Sequence, residues 1–204
     1  MRFISGILSV CLIIFVNIPS AAFAATSICV KYPSKDVSGS GPLPYNFRVI
    51  DGHIFAGGHP LLGPEHDLRA SDEEVLSILN YLKSKGVTKI IDLENTKRIQ
   101  ERYSRLLEEE EGFERLHVPM HAAKVPTKDE WAKIKEWMES PVYIHCKWGA
   151  DRTGMVIGKY LVDVKGYSKN EALKAVSGGG SHSGAMGGLK VHYLPTFYWF
   201  LNRN

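Results

Sequence analysis

Cysteine is scarce in this chain. Only Cys11, Cys29 and Cys146 occur in 204 residues, too few for a scaffold built on disulfides. Neither sign of charge dominates. The 25 lysines and arginines stand against 22 acidic residues, and the basic ones are spread along the chain rather than clustered, which argues against nucleic acid as a partner. The eight histidines form no H-E-x-x-H and pair with no cysteine at zinc-site spacing, so no metal and no other cofactor is expected. There is no internal repeat, and the one long apolar run lies at the start.

That run has the layout of a secretory signal peptide. Met1-Arg2 gives a positive start, Ile4 to Val16 is mostly apolar and uncharged, and Ala22-Phe23-Ala24 is a small-residue cleavage site. Asn17 and Pro19 interrupt the stretch before it reaches the length of a spanning helix. The expectation is therefore export, to a bacterial periplasm or beyond, with no stable membrane anchor once residues 1–24 are removed. The remaining 180 residues, 24 basic and 22 acidic, suit one domain with a sizeable core and a monomer. Residues 25–45 are rich in Ser, Gly and Pro and read as an irregular leader to a domain over 46–204. Cys29 lies in that leader, and a reversible bridge from it to Cys146 stays open.

Within the domain, Asn46–Ile50 and His53–Ala56 flank Asp51-Gly52, a hairpin signal. Ser71 with Glu74, Thr127 with Glu130, and Ser168 with Glu171 are three capping boxes, each opening a helix. A further helical stretch covers 96–111, another 153–165, and a last short helix follows Pro195. Thr88–Leu93, Phe113–Val118 and Val142–Cys146 read as strands. Strands alternating with helices predict an α/β domain, a central, largely parallel sheet flanked by helices. Ligand sites in such sheets lie beyond the carboxyl ends of the strands, here the loops after Leu93, Val118 and Ile144.

The third of these loops carries chemistry. It runs His145-Cys146-Lys147-Trp148-Gly149-Ala150-Asp151-Arg152-Thr153-Gly154. The backbone N–H groups of Lys147, Trp148, Gly149, Ala150, Asp151, Arg152 and Thr153 can turn around one tetrahedral oxyanion, and the helix that follows points its positive end at the same place. Gly149 lets the loop bend. Arg152 offers a planar fork for phosphate oxygens. A cysteine in that setting is favoured as the nucleophilic thiolate. Thr153 could hydrogen-bond the sulfur, and His145 orients the loop.

These residues resemble the signature loop of the cysteine-based protein tyrosine and dual-specificity phosphatases. Asn46-Phe47-Arg48-Val49, Phe55 to Pro60 and Ile90-Ile91-Asp92-Leu93 look like elements of the same family, so the likeness spans Asn46–Leu201. The resemblance implies a metal-free phosphatase working through a phosphocysteine on Cys146, with phosphorylated proteins as substrates. A phosphoinositide or inositol phosphate substrate is a second reading, since Lys147 could meet a second phosphate and Trp148 could stack on a ring. A phosphate-binding protein without turnover is a third.

One departure from the family motivates that third reading. The family supplies its general acid as an aspartate some 25–35 residues before the cysteine, whereas Val118–Pro126 here contains no acidic residue. Three replacements stand open. Asp151 lies in the loop, in a Gly-x-Asp-Arg similar to that of myotubularin-type lipid phosphatases. His121 lies in the loop where the acid belongs, and Asp129 starts the next helix. Asp92, Glu94, Asn95 and Arg98 either line the rim of the pocket or are solvated. The glycine-rich Ser177–Gly188 is a connector or a lid, and Tyr193, Phe197, Tyr198 and Phe200 pack on the core.

Overall fold

The structure, a computed structural model, describes residues 26–32, 43–63 and 67–203. The expected signal peptide lies outside them. Six strands are present among the described residues: β1 (Cys29–Lys31), β2 (Arg48–Ile50), β3 (Ile54–Gly58), β4 (Lys89–Asp92), β5 (Glu114–His117) and β6 (Val142–Cys146). They form one mixed sheet in the order β1-β2-β3-β6-β4-β5. The hairpin end is antiparallel, while β3, β6, β4 and β5 run parallel. This is the α/β layered fold expected from the alternation of strands and helices.

The helices α1 (Asp72–Ser84), α2 (Gln100–Glu109), α3 (Lys128–Trp137), α4 (Asp151–Asp163), α5 (Lys169–Val176) and α6 (Leu194–Asn202) cover both faces of the sheet. Residues of β6 alternate between the two layers. Val142, Ile144 and Cys146 join a core with Trp131 and Ile134 of α3, Met155 of α4, Val176 of α5 and Phe200 of α6. Tyr143 faces the other core, with Val75 and Leu79 of α1 and Tyr103 and Leu106 of α2. All three capping boxes close with both reciprocal hydrogen bonds.

Three expectations are corrected. The leader is not wholly irregular, because Cys29–Lys31 adds an edge strand to β2 and Asp51 N–H donates to Ile28 O at 2.7 Å. The helix expected from residue 153 already starts at Asp151, whose carboxylate suits a helix N-terminus. The glycine-rich stretch is no lid. Asn46 is fully buried beside Gly184, donating from Nδ2 to Gly187 O at 3.1 Å and accepting from Met186 N–H at 2.8 Å through Oδ1. The register also decides the redox question. Cys29 lies opposite Ile50, then Ile54, then Val142, so it faces the far end of β6 from Cys146. Three strand spacings alone are about 14 Å, beyond the reach of a disulfide, and both thiols are free.

Candidate active site

Cys146 ends the central strand β6, opposite Gly58 on β3, and is 2% exposed. The chain then turns sharply at Gly149, whose φ is +67°. There is no room for a side chain at this position. A Cβ on Gly149 would stand 2.3 Å from Gly57 C and 2.4 Å from Gly57 O. The loop is thus laid directly on the end of β3, and His59 N–H fastens it by donating to Lys147 O at 3.0 Å. Gly154 N–H closes the first turn of α4 on Ala150 O at 2.8 Å. The N–H groups before it form the open, positive end of the helix.

Arg152, in that first turn, is held by the neighbouring strand end. Its Nη2 donates to Glu94 Oε2 at 2.8 Å, and Nη1 reaches Leu93 O at 3.2 Å, Asn95 Oδ1 at 3.3 Å and Met120 O at 3.4 Å. Burial works against its charge, but the Cys146 sulfur and Glu94 outweigh it and hold the guanidinium above its usual range. Glu94 is 1% exposed and also takes the N–H groups of Asn95 and Thr96, both at 3.0 Å. Asp92 is fully buried against Arg115 and accepts Glu94 N–H at 2.8 Å. Neither carboxylate is a rim or solvated residue. Together they prop the arginine of the loop, and of the group only Asn95 and Arg98 are exposed.

Beneath the loop lies a buried polar layer. His145 Nε2 meets Tyr103 OH at 3.1 Å, and its Nδ1 lies 3.7 Å from Asp92 Oδ1. His59 adds a third group whose ligand-type atoms fall within 4.8 Å of those of Asp92 and His145. Asp92 already carries the Arg115 guanidinium, so the cluster acts as a prop for the loop. Burial pushes both imidazoles well below the ordinary histidine range. Each is pushed down further by the other's ring or by Arg115 and Arg152. The unfolded chain therefore takes up protons near pH 6.5 that the folded chain refuses. Stability is full above that pH and falls below it, by about 1.4 kcal/mol per pH unit for each histidine. Urea midpoints measured between pH 7.5 and 5 are expected to drop accordingly, with a shallower fall in His59→Gln. A flat profile in the wild type would contradict this account.

The acid candidates are spread apart. Asp151 is on the loop itself, where Oδ1 accepts Lys190 N–H at 2.9 Å. It lines a cleft of about 300 Å³ with Trp148, Met186 and Lys190. His121 is exposed and accepts Ala123 N–H at 3.2 Å through Nδ1, within a turn that bridges to Lys124. Asp129 is exposed in the first turn of α3. Lys147 places its Nζ 5.5 Å from the centre of the Trp148 ring, and Trp148 meets Tyr45 edge-on at 6.3 Å. Thr153 is fully buried and Oγ1 has no hydrogen-bond partner, so the expected bond to the sulfur is not made.

Two residues escaped the sequence reading. Arg48 reaches the loop from β2, donating to Gly149 O at 2.9 Å. Tyr193 packs against the core as expected but is only partly buried, and its place near the loop was not foreseen. Burial first and then Asp151 raise its phenol, Arg152 opposes them, and Cys146 and Glu94 are close enough to be felt. An arginine alternating with the apolar Ile50 was a usable signal for the first. Nothing local marked the second.

Residues 69–166, from just before α1 to beyond α4, match the family described as a polymorphic toxin system, DSP-PTPase phosphatase. The dual specificity protein phosphatase TpbA of Pseudomonas aeruginosa is 33% identical over 69 residues, which is 32% of this chain and 32% of that protein. The chain thus matches about a third of the length of that curated relative. Among solved structures, kinase associated phosphatase superposes with a TM-score of 0.55 at 18% identity, covering 73% of this chain and 83% of that one. PTPMT1 does so with a TM-score of 0.53 at 19% identity, covering 74% and 90%. The two structures speak for the fold, and the family match takes in Cys146 and Arg152. Over residues 69–166, just under half of its length, the chain is similar to the cysteine-based dual-specificity phosphatases.

Proposed function

We propose that this chain hydrolyses phosphate monoesters through a phosphocysteine on Cys146, and that it does so as an exported monomer. The observation that carries the reading is the meeting, in one loop, of a strand-end cysteine, the open end of α4 and Arg152. In the first step Cys146 Sγ attacks phosphorus and the bond to the leaving oxygen breaks, that oxygen taking a proton from the general acid. Water then attacks phosphorus, the S–P bond breaks, phosphate leaves, and the water proton returns to the acid. Loop amides and Arg152 hold the equatorial oxygens throughout.

Asp151 is the acid this reading favours. It is rigidly joined to the loop, and one carboxylate oxygen is anchored on Lys190 N–H. His121 and Asp129 are the alternatives. Asp151→Asn is expected to cost phenyl phosphate about 10²–10⁴-fold in kcat, with a smaller loss on p-nitrophenyl phosphate, whose leaving group needs less help. A loss of that pattern in His121→Ala or Asp129→Asn instead would transfer the role. Phosphorylated proteins are the proposed substrates. Lys147, on the loop beside the Trp148 ring, supports a second reading with inositol phosphates, and PTPMT1, which shares the fold, has been crystallised in complex with PI(5)P. Comparing turnover of a phosphotyrosine peptide with that of soluble inositol phosphates separates the two.

A further inference from the structure

Arg48 is the largest fully buried side chain described, at 1% exposure. Its Nη1 donates to Asn46 O at 3.0 Å and to Gly149 O at 2.9 Å, and its Nε is buried with no hydrogen-bond partner. No carboxylate among the described residues lies within ion-pair distance of it. The other two arginines at the loop are each matched, Arg152 by Glu94 and Arg115 by Asp92. An isolated buried cation is costly unless something answers its charge. The groups that feel it are Cys29, Cys146 and Tyr143. Burial raises the Cys29 thiol and takes the Tyr143 phenol well above its ordinary range, so both stay neutral. What remains is the nucleophile and whatever anion occupies the loop.

The bond to Gly149 O adds a geometric effect. In a planar trans peptide the C=O and the following N–H point in opposite directions. Fixing Gly149 O towards Arg48 therefore fixes Ala150 N–H away from it. We propose that Arg48 is a positioning residue of the oxyanion site: from behind the loop it turns Ala150 N–H into the cradle and supplies the positive charge that no protein carboxylate cancels. This rests on the reading of the loop as a phosphoryl site. It also gives the charged residue of a three-residue strand a reason to be buried among apolar neighbours.

The test is calorimetric titration of tungstate, a tetrahedral dianion, into Cys146→Ser, where no thiolate competes for the field. Adding Arg48→Gln, which keeps a donor and loses the charge, is expected to weaken binding roughly tenfold or more. Arg48→Lys is expected to recover most of it. Undiminished binding in a folded Arg48→Gln protein, or equal loss in both variants, overturns the proposal. If Arg48→Gln does not fold, amide NMR of the Cys146→Ser protein decides alone. The Ala150 N–H resonance should move on tungstate addition, and an unmoved one overturns the proposal. Failure of Cys146→Ser to bind tungstate at all would overturn both this and the phosphatase reading, whereas binding indifferent to Arg48 overturns only this one.

Discussion

Cys146→Ser is expected to leave less than ~10⁻⁴ of wild-type turnover of p-nitrophenyl phosphate, measured in EDTA with reductant. A serine hydroxyl needs a base hydrogen-bonded to it, and the histidine that precedes position 146 is not free to serve. The nearest imidazole, His145, is fully buried, with Nε2 committed to Tyr103 and Nδ1 on the Asp92 side. The helix end and the arginines favour an anion already formed, but a hydroxyl at neutral pH is not one. The anion site should outlast the nucleophile, because its parts are the loop backbone, Arg152 and Arg48. Retained tungstate binding with lost turnover is the expected pair of results. Residual turnover above about one per cent would show that another group attacks phosphorus. Turnover absent from the wild type itself, with the anion still bound, would leave a phosphate-binding protein.

Gly149→Ala is expected to damage both stability and catalysis. Left-handed backbone at φ +67° costs an alanine about 1–2 kcal/mol. The larger difficulty is steric. The new Cβ would sit 2.3 Å from Gly57 C, 2.4 Å from Gly57 O and 2.7 Å from Gly58 N. These are main-chain atoms of β3, which pairs with β6 and cannot step aside. The loop must lift instead, taking Gly149 O off Arg48 and moving the amides that follow. A shift near 1 Å in such a site lowers rate about 100-fold. Gly52→Ala is the control. Its φ is similar, +76°, but nothing lies within 4 Å of the added atom, so it should lose some stability and no activity. Equal kcat/KM for Gly149→Ala and wild type would mean that the loop does not rest on β3 as described.

Local signals in the sequence are legible because they act over three or four residues. The three capping boxes, the Asp51-Gly52 hairpin and the strand–loop–helix around Cys146 all need only near neighbours. What is not legible depends on pairs distant in the chain. Glu94 meets Arg152 across 58 positions, and an acid at the end of a strand looks the same whether it is solvated or propping an arginine. β1 spans three residues, too few to show an alternating period inside a Ser-, Gly- and Pro-rich stretch. The lid reading of Ser177–Gly188 fails for a related reason. Glycine serves close packing as readily as motion, and only the neighbour, here Asn46, tells which.

β6 is the last of the six strands in the chain, yet it lies between β3 and β4. Until Val142–Cys146 is available, β3 and β4 each keep an open edge towards the gap, and closing the sheet requires pairings across many residues. Such closure is slow, and the open edges invite association with other chains. A chain cut short before Val142 should therefore be insoluble rather than a smaller stable domain. The strand that completes the sheet is also the one that carries the nucleophile. Catalytic competence and the end of aggregation risk thus arrive in a single event of folding.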